Sequence, residues 1–123
     1  MRGAFPFLRA CGSEQVPGLD FQGIAPNCRS TYNYFTVFID SEQARRSRDE
    51  AYEHLAARGI QAKKYFYPAL HLQEVYRHLR ETYRGRLPVT EGAAAQGLAL
   101  PLFSHMEMNT VTQVGDGLRE ILG

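Results

Sequence analysis

The sequence predicts an α+β fold: a two-layer domain in which a small antiparallel sheet of two to three strands packs against helices. Three observations carry this. A chain of 123 residues suits one domain and one core. Along it, apolar spacing switches between alternation every second residue and a helical stripe. The elements so marked run strand, helix, strand, helix, helix, strand, helix, which is the mixed order of an α+β domain.

Residues 1–31 read as irregular. Gly3, Pro6, Gly12, Pro17, Gly18, Gly23 and Pro26 interrupt them too often for a long element. Within them, Val16, Pro17, Gly18 and Leu19 form a turn signal: proline presets φ at the first central position and glycine accepts φ > 0 at the second. Residues 32–39 are the first strand, rich in aromatic and β-branched side chains. Asp40 or Ser41 can cap the helix that follows, with Glu42 in the first turn, where the helix dipole favours an acid. One helix is expected from there to about Arg58, with Ala51, Leu55 and Tyr52 on its apolar face and Gly59 as its left-handed stop.

Residues 60–66 predict the second strand. Ile60, Ala62, Lys64 and Phe66 would point one way, and Gln61, Lys63, Tyr65 and Tyr67 the other. Neither face is purely apolar, so one end of this strand should meet solvent or a partner. A short helix is expected near residues 72–79, then a polar turn at 82–86. The next helix starts at residues 87–91, with Pro88 early, where a missing N–H is harmless. Residues 98–102 form a short strand that Pro101 ends or confines to an edge. The last helix spans residues 107–122, with Val111, Val114, Leu118, Ile121 and Leu122 on one face. Gly115 and Gly117 weaken it by about 1 kcal/mol each relative to alanine.

Composition excludes several classes. Fourteen Lys and Arg against thirteen Asp and Glu give a net charge of +1, which points to no nucleic-acid or membrane partner. No apolar run approaches the ~20 residues of a membrane span. Arg45, Arg46 and Arg48 lie among Glu42, Asp49 and Glu50 and read as a solvated helix face. Cys11 and Cys28 make no disulfide framework and fit a reducing cytoplasm. No His or Cys pair has zinc-ligand spacing, so no metal is expected.

The chemistry legible in the residues is sparse. There is no nucleophile elbow, phosphate loop or dinucleotide fingerprint. Of the histidines, His54 and His78 read as surface residues and His105 as a neighbour of the last helix cap. His71 follows a proline-fixed turn, but a single loop histidine makes no catalytic site. Tyr65, Tyr67 and Tyr76, with Lys63, Lys64 and Arg77, could form a ligand rim of flat rings and phosphate-binding cations. Half-buried edge packing explains the same tyrosines equally well. Both readings stand at this point.

Five stretches in register add more: VPGLDFQ, RSTYNYFTVFID, RDEAYEHLAARGIQAKKYFYPALHLQEVYR, LPVTE and LALPLFSHM, followed by a helix with Thr-Val near its start. Over residues 16–122 the chain resembles the C-terminal small domain of the DegT/DnrJ/EryC1/StrS family, aminotransferases of fold type I that use pyridoxal phosphate and mostly act on nucleotide-linked keto-sugars. The resemblance implies the small domain at 16–123; it fades before Val16, and residues 1–15 are expected as an irregular segment. It implies that a large domain supplies the Schiff-base lysine, the acid on the pyridine nitrogen and most phosphate contacts. Lys63 and Lys64 are the only lysines, and neither matches that Schiff-base position.

This chain alone is therefore expected to bind no cofactor and to have no catalytic residue. It would be a truncated gene product, a detached cassette or an excised domain. Carried over position by position, Tyr32, Asn33, Lys64, Tyr65, Tyr67 and His71 are expected as substrate-side contacts. Expected partners are a separate large domain or a second copy, with a nucleotide sugar as ligand. The alternative is a stand-alone binding module. An apolar face left uncovered should drive self-association or draw residues 1–31 back over it.

Overall fold

The computed structural model describes residues 16–123, so expectations for residues 1–15 lie outside the described residues. Its centre is an antiparallel sheet of strands β1 (Leu19–Phe21), β2 (Phe35–Ile39) and β3 (Gly97–Leu100), in that spatial order. Leu19 pairs with Ile39, and Val37 pairs with Phe21 on one side and Leu98 on the other. This register places Leu19, Val37, Ile39, Leu98 and Leu100 on one face, where all are buried.

Five α-helices accompany the sheet among the described residues: α1 (Ser41–Ala44), α2 (Arg48–Ala57), α3 (Arg77–Tyr83), α4 (Pro88–Gln96) and α5 (Met108–Leu122). Helices α2 and α5 cover the core face. Ala51 and Leu55 from α2, and Val111, Val114, Leu118 and Leu122 from α5, complete one cluster with the strands. Each fully buried leucine here contributes roughly 1.5–3 kcal/mol over its exposed state. The α2–α5 contact is close: a Cβ at Gly117 would stand 2.9 Å from Leu55 Cδ2. The glycine that weakens α5 by propensity is the one that lets α2 approach. The reverse face of β2 carries Thr36 and Phe38 and meets Ala93 and Ala94 of α4.

The α+β class with its small antiparallel sheet is as expected, and so are the stripe on α5, Pro88 at the start of α4 and Gly59 at φ 76°. The turn at residues 16–19 is also as expected, with Gly18 at φ 79° and Leu19 N–H donating to Val16 O at 3.3 Å. Several expectations are corrected. The single helix to Arg58 is two helices, because Arg45 adopts a left-handed conformation (φ 58°) after α1. Ser47 then opens α2 with a reciprocal capping box: its hydroxyl accepts the Glu50 N–H, and Glu50 accepts the Ser47 N–H.

The strand expected at residues 60–66 is a single antiparallel bridge, in which Lys63 and Ala99 exchange N–H···O bonds of 2.9 and 2.7 Å. Beyond it the segment leaves the sheet, with cis peptides at Tyr65–Phe66 and Tyr67–Pro68. The irregular reading of residues 1–31 missed β1, which is short and carries an unfavourable Asp20 at its centre. The helix expected at residues 72–79 is two 3₁₀ turns, Leu70–Leu72 and Glu74–Tyr76, that lead into α3. Helix α3 runs through Tyr83 into the expected polar turn, where Gly85 has φ 75°. Among the described residues no helix is long and apolar enough to cross a membrane.

Candidate functional site

The residues leading into β2 and the residues after the Lys63 bridge converge at one end of the sheet. Asn33, Tyr34, Gln61, Lys63, Tyr65 and Phe103 line a cleft of about 500 Å³ there. Tyr34 and Tyr65 meet edge to face, with ring centroids 5.0 Å apart at 84°. Hydrogen bonding to Tyr65, and the electrostatic cost of a second phenolate beside it, push the Tyr34 hydroxyl above its ordinary pKa of 10.0. Both phenols line the cleft, and the Tyr34 hydroxyl keeps its proton near neutral pH. Lys63 Nζ lies 5.9 Å from the Tyr65 ring centroid and puts positive charge beside the pair.

The same two tyrosines also border a second space. An apolar groove of about 720 Å³ runs over the reverse face of β2, past Phe38, Phe66, Leu70 and Val89. Phe66 stacks on Tyr65, with centroids 4.6 Å apart and planes 21° from parallel.

Arg48 overturns its reading as part of a solvated face. Arg45 and Arg46 are exposed, whereas the Arg48 guanidinium is buried and donates to Ala94 O at 2.9 Å, Gly97 O at 3.1 Å and Asp49 Oδ1 at 2.7 Å. It caps the carbonyl end of α4, where a cation is favoured. Its plane also stands 4.7 Å from the Tyr67 ring centroid. Asp49 takes Lys64 Nζ as well, at 3.0 Å, and Lys64 lies 4.8 Å from the Tyr52 ring centroid. Lys64 first, then Arg48, holds the Asp49 carboxyl below its ordinary pKa of 3.8.

His71 differs most from its expected position. Its ring is enclosed, and Nε2 stands 2.8 Å from Glu91 Oε1. That oxygen also accepts the Gly85 N–H at 2.9 Å. Tyr32 has φ 54°, donates its N–H to Ser30 Oγ at 3.0 Å and lines a separate recess of about 350 Å³ with Cys28 and Arg29.

The expected contacts therefore divide. Asn33 and Tyr65 share the cleft; Lys64 and Tyr67 lie around Arg48 and Asp49; His71 faces inward; Tyr32 borders the recess. Tyr34, Arg48 and Glu91 are additions to the set. Tyr34 was open to discovery as the second tyrosine of the Tyr32-Asn33-Tyr34 stretch that enters β2. Arg48 gave no such signal, because its acceptors lie 46 and 49 residues away.

Among the described residues, the cleft does not bring together the parts of a pyridoxal phosphate site. Such a site needs a lysine free to reach the ring, an acid for the ring nitrogen and a phosphate cradle. Lys64 is engaged by Asp49, and the cleft that Lys63 borders has no carboxylate in its lining. Among the described residues no group of three or more His, Cys, Asp or Glu could hold a metal.

Comparison with known proteins gives this geometry a context. The model of the DegT/DnrJ/EryC1/StrS aminotransferase family matches residues 13–119. The dTDP-4-amino-4,6-dideoxy-D-glucose transaminase of Escherichia coli is 34% identical over 99 residues, 80% of this chain and 26% of that protein. The dTDP-3-amino-3,4,6-trideoxy-alpha-D-glucose transaminase of Streptomyces venezuelae is 32% identical over 109 residues, 89% of this chain and 27% of that protein. The crystal structure of S. venezuelae DesV in complex with a ketimine intermediate superposes with a TM-score of 0.83 at 30% identity, over 97% of this chain and 30% of that one. DesI with its TDP-sugar product gives 0.81 at 28%, over 97% and 29%. The chain thus spans about a quarter of the length of the curated relatives it matches. By the extent of the family match and these identities, the chain belongs to the DegT/DnrJ/EryC1/StrS aminotransferase family.

Proposed function

We propose that this chain is the small lobe of a pyridoxal-phosphate-dependent nucleotide-sugar aminotransferase, that it offers the Tyr34–Tyr65 cleft to the sugar nucleotide, and that it transfers no amino group alone. The observation that carries the reading is the state of the lysines. Lys64 is held by Asp49 at 3.0 Å, Lys63 stands beside the Tyr65 ring, and the cleft lining offers no acid for a cofactor ring nitrogen. What the cleft does offer suits recognition. Asn33 and Gln61 bring amides, Tyr34 and Tyr65 bring flat rings with hydroxyl donors, and Lys63 brings a cation for a phosphate oxygen. Tyr32, Lys64, Tyr67 and His71 then act around the cleft rather than as its lining. The relatives named as dTDP-sugar transaminases support the ligand class.

A second reading has the chain complete its site by docking with a separate large domain. The exposed apolar side chains Phe66, Leu70 and Val89 along the reverse-face groove favour it.

The test is to mix the purified chain with pyridoxal phosphate, glutamate and a dTDP-keto-sugar. The expected outcome is no protein-bound cofactor absorbance and no amino transfer. A cofactor band that Lys64→Ala abolishes would overturn the reading. In a parallel titration with dTDP, nuclear magnetic resonance shifts should gather at Asn33, Tyr34 and Tyr65. Shifts absent from all three would remove the cleft from the proposal.

A further inference from the structure

Among the described residues, the buried side chains that are polar or charged are Arg48, 4% exposed, and His71, 7% exposed. Burying such groups costs free energy unless each finds partners. Both are partnered, and both act on one segment. Arg48 reaches from the start of α2 to Ala94 O and Gly97 O, and carries Tyr67 on its guanidinium face. His71 ends the same segment and is fixed to Glu91 of α4, which also holds the turn at Gly85. Between these anchors Ala69 is buried, while Phe66, Tyr67 and Leu70 are 66%, 56% and 62% exposed.

Here the fold commits its buried polar side chains to a loop that keeps aromatic and aliphatic groups at the surface, next to the cleft. Fixing such a loop before a ligand arrives lowers the ordering cost of binding.

We infer that Arg48 and His71 are positioning residues that pre-organise the loop at residues 65–70 as a rigid aromatic platform for the ligand of the adjoining cleft. The inference rests on the proposed reading of that cleft as a nucleotide-sugar site, which Tyr65 joins to the platform. Arg48 acts through Tyr67 and the carbonyl end of α4; His71 acts through Glu91. Neither needs to touch the ligand.

The test is amide hydrogen exchange on the full 123-residue chain, paired with a dTDP titration. Arg48→Lys and His71→Ala should each speed exchange at the Leu72 and Gln73 amides, which donate to Ala69 O and Leu70 O at the end of the loop, by about tenfold or more relative to core amides such as Val37 and Leu98. His71→Gln, which can still donate to Glu91, should restore most of the protection. Tyr67→Leu removes the ring from Arg48 and tests that contact should Arg48→Lys fail to fold. Exchange that speeds uniformly with loss of global stability, or a loop that stays protected, would overturn the inference. The dTDP arm separates the two ideas. Wild-type binding that falls in the loosened variants supports both. Wild-type binding that the loosened variants keep in full overturns the platform and leaves the cleft. A loop that loosens in a chain blind to dTDP upholds the positioning roles and removes the ligand class.

Discussion

His71 Nε2 and Glu91 Oε1 lie 2.8 Å apart, and the Gly85 N–H points at the same oxygen from 2.9 Å. An ionised carboxylate can only accept, so the imidazole donates through Nε2. The His71 bond first, then the Gly85 N–H, holds the Glu91 carboxyl below its ordinary pKa of 4.5. A depressed acid stabilises the fold fully above its unfolded value and loses that contribution as pH falls through the folded value. Wild-type stability should therefore drop as pH is lowered below about 4.5. Glu91→Gln should flatten part of that acid limb, and Asp49 and Glu50, also depressed, should keep the rest. Denaturant titrations from about pH 3 to about pH 6, which span ordinary carboxylate values, would check this; superimposable slopes for the two proteins would exclude the clamp.

Ser47 rather than Ser41 should be the cap that matters. The Ser47 hydroxyl and the Glu50 carboxylate satisfy each other's backbone N–H at 3.1 and 2.7 Å. Ser41 is the first residue of α1, whose cap is Asp40. Ser47→Ala should cost about 1 kcal/mol and Ser41→Ala only a small fraction of that. Equal losses in chemical denaturation would mean that α1 and α2 behave as one helix in solution.

The contrast between these serines shows what the sequence carried and what it did not. Ser47-Arg48-Asp49-Glu50 has the spacing of a capping box, a local signal that a continuous helix reading overlooked. Strand β2 and helix α5 were legible because their patterns are local: an aromatic and β-branched run, and a stripe from Val111 to Leu122. Residues 60–66 alternate well enough for a strand, yet only Lys63 finds Ala99, because pairing depends on a partner far along the chain. The site divides in the same way. Residue types left an aromatic, basic rim and edge packing equally open, and distant acceptors set each direction: Ala94 and Gly97 for Arg48, Asp49 for Lys64, Glu91 for His71.

Leu118 tests the packing of α5 directly. It is fully enclosed, at 0% exposure, in the cluster shared with Leu55, Val37 and Leu98. Leu118→Ala should cost about 2–5 kcal/mol, the transfer loss plus the cavity left behind. A loss near zero in a denaturant titration would show that α5 does not dock on the sheet as described.

Tyr34 supplies a spectroscopic test of the cleft that needs no ligand. Tyr65 raises its hydroxyl pKa through a hydrogen bond and through the cost of a second phenolate nearby, while Lys63 opposes this by favouring the anion. In Tyr65→Phe the bond and the neighbouring phenolate vanish together, so the Tyr34 pKa should fall back toward 10.0. In Lys63→Gln it should instead rise, because the one opposing charge is gone. Tyrosine ring signals followed through an alkaline titration would read both shifts. The opposite signs make the pair informative: a cleft in which Tyr34 and Tyr65 did not meet would leave the Tyr65→Phe titration unchanged, whatever Lys63 did.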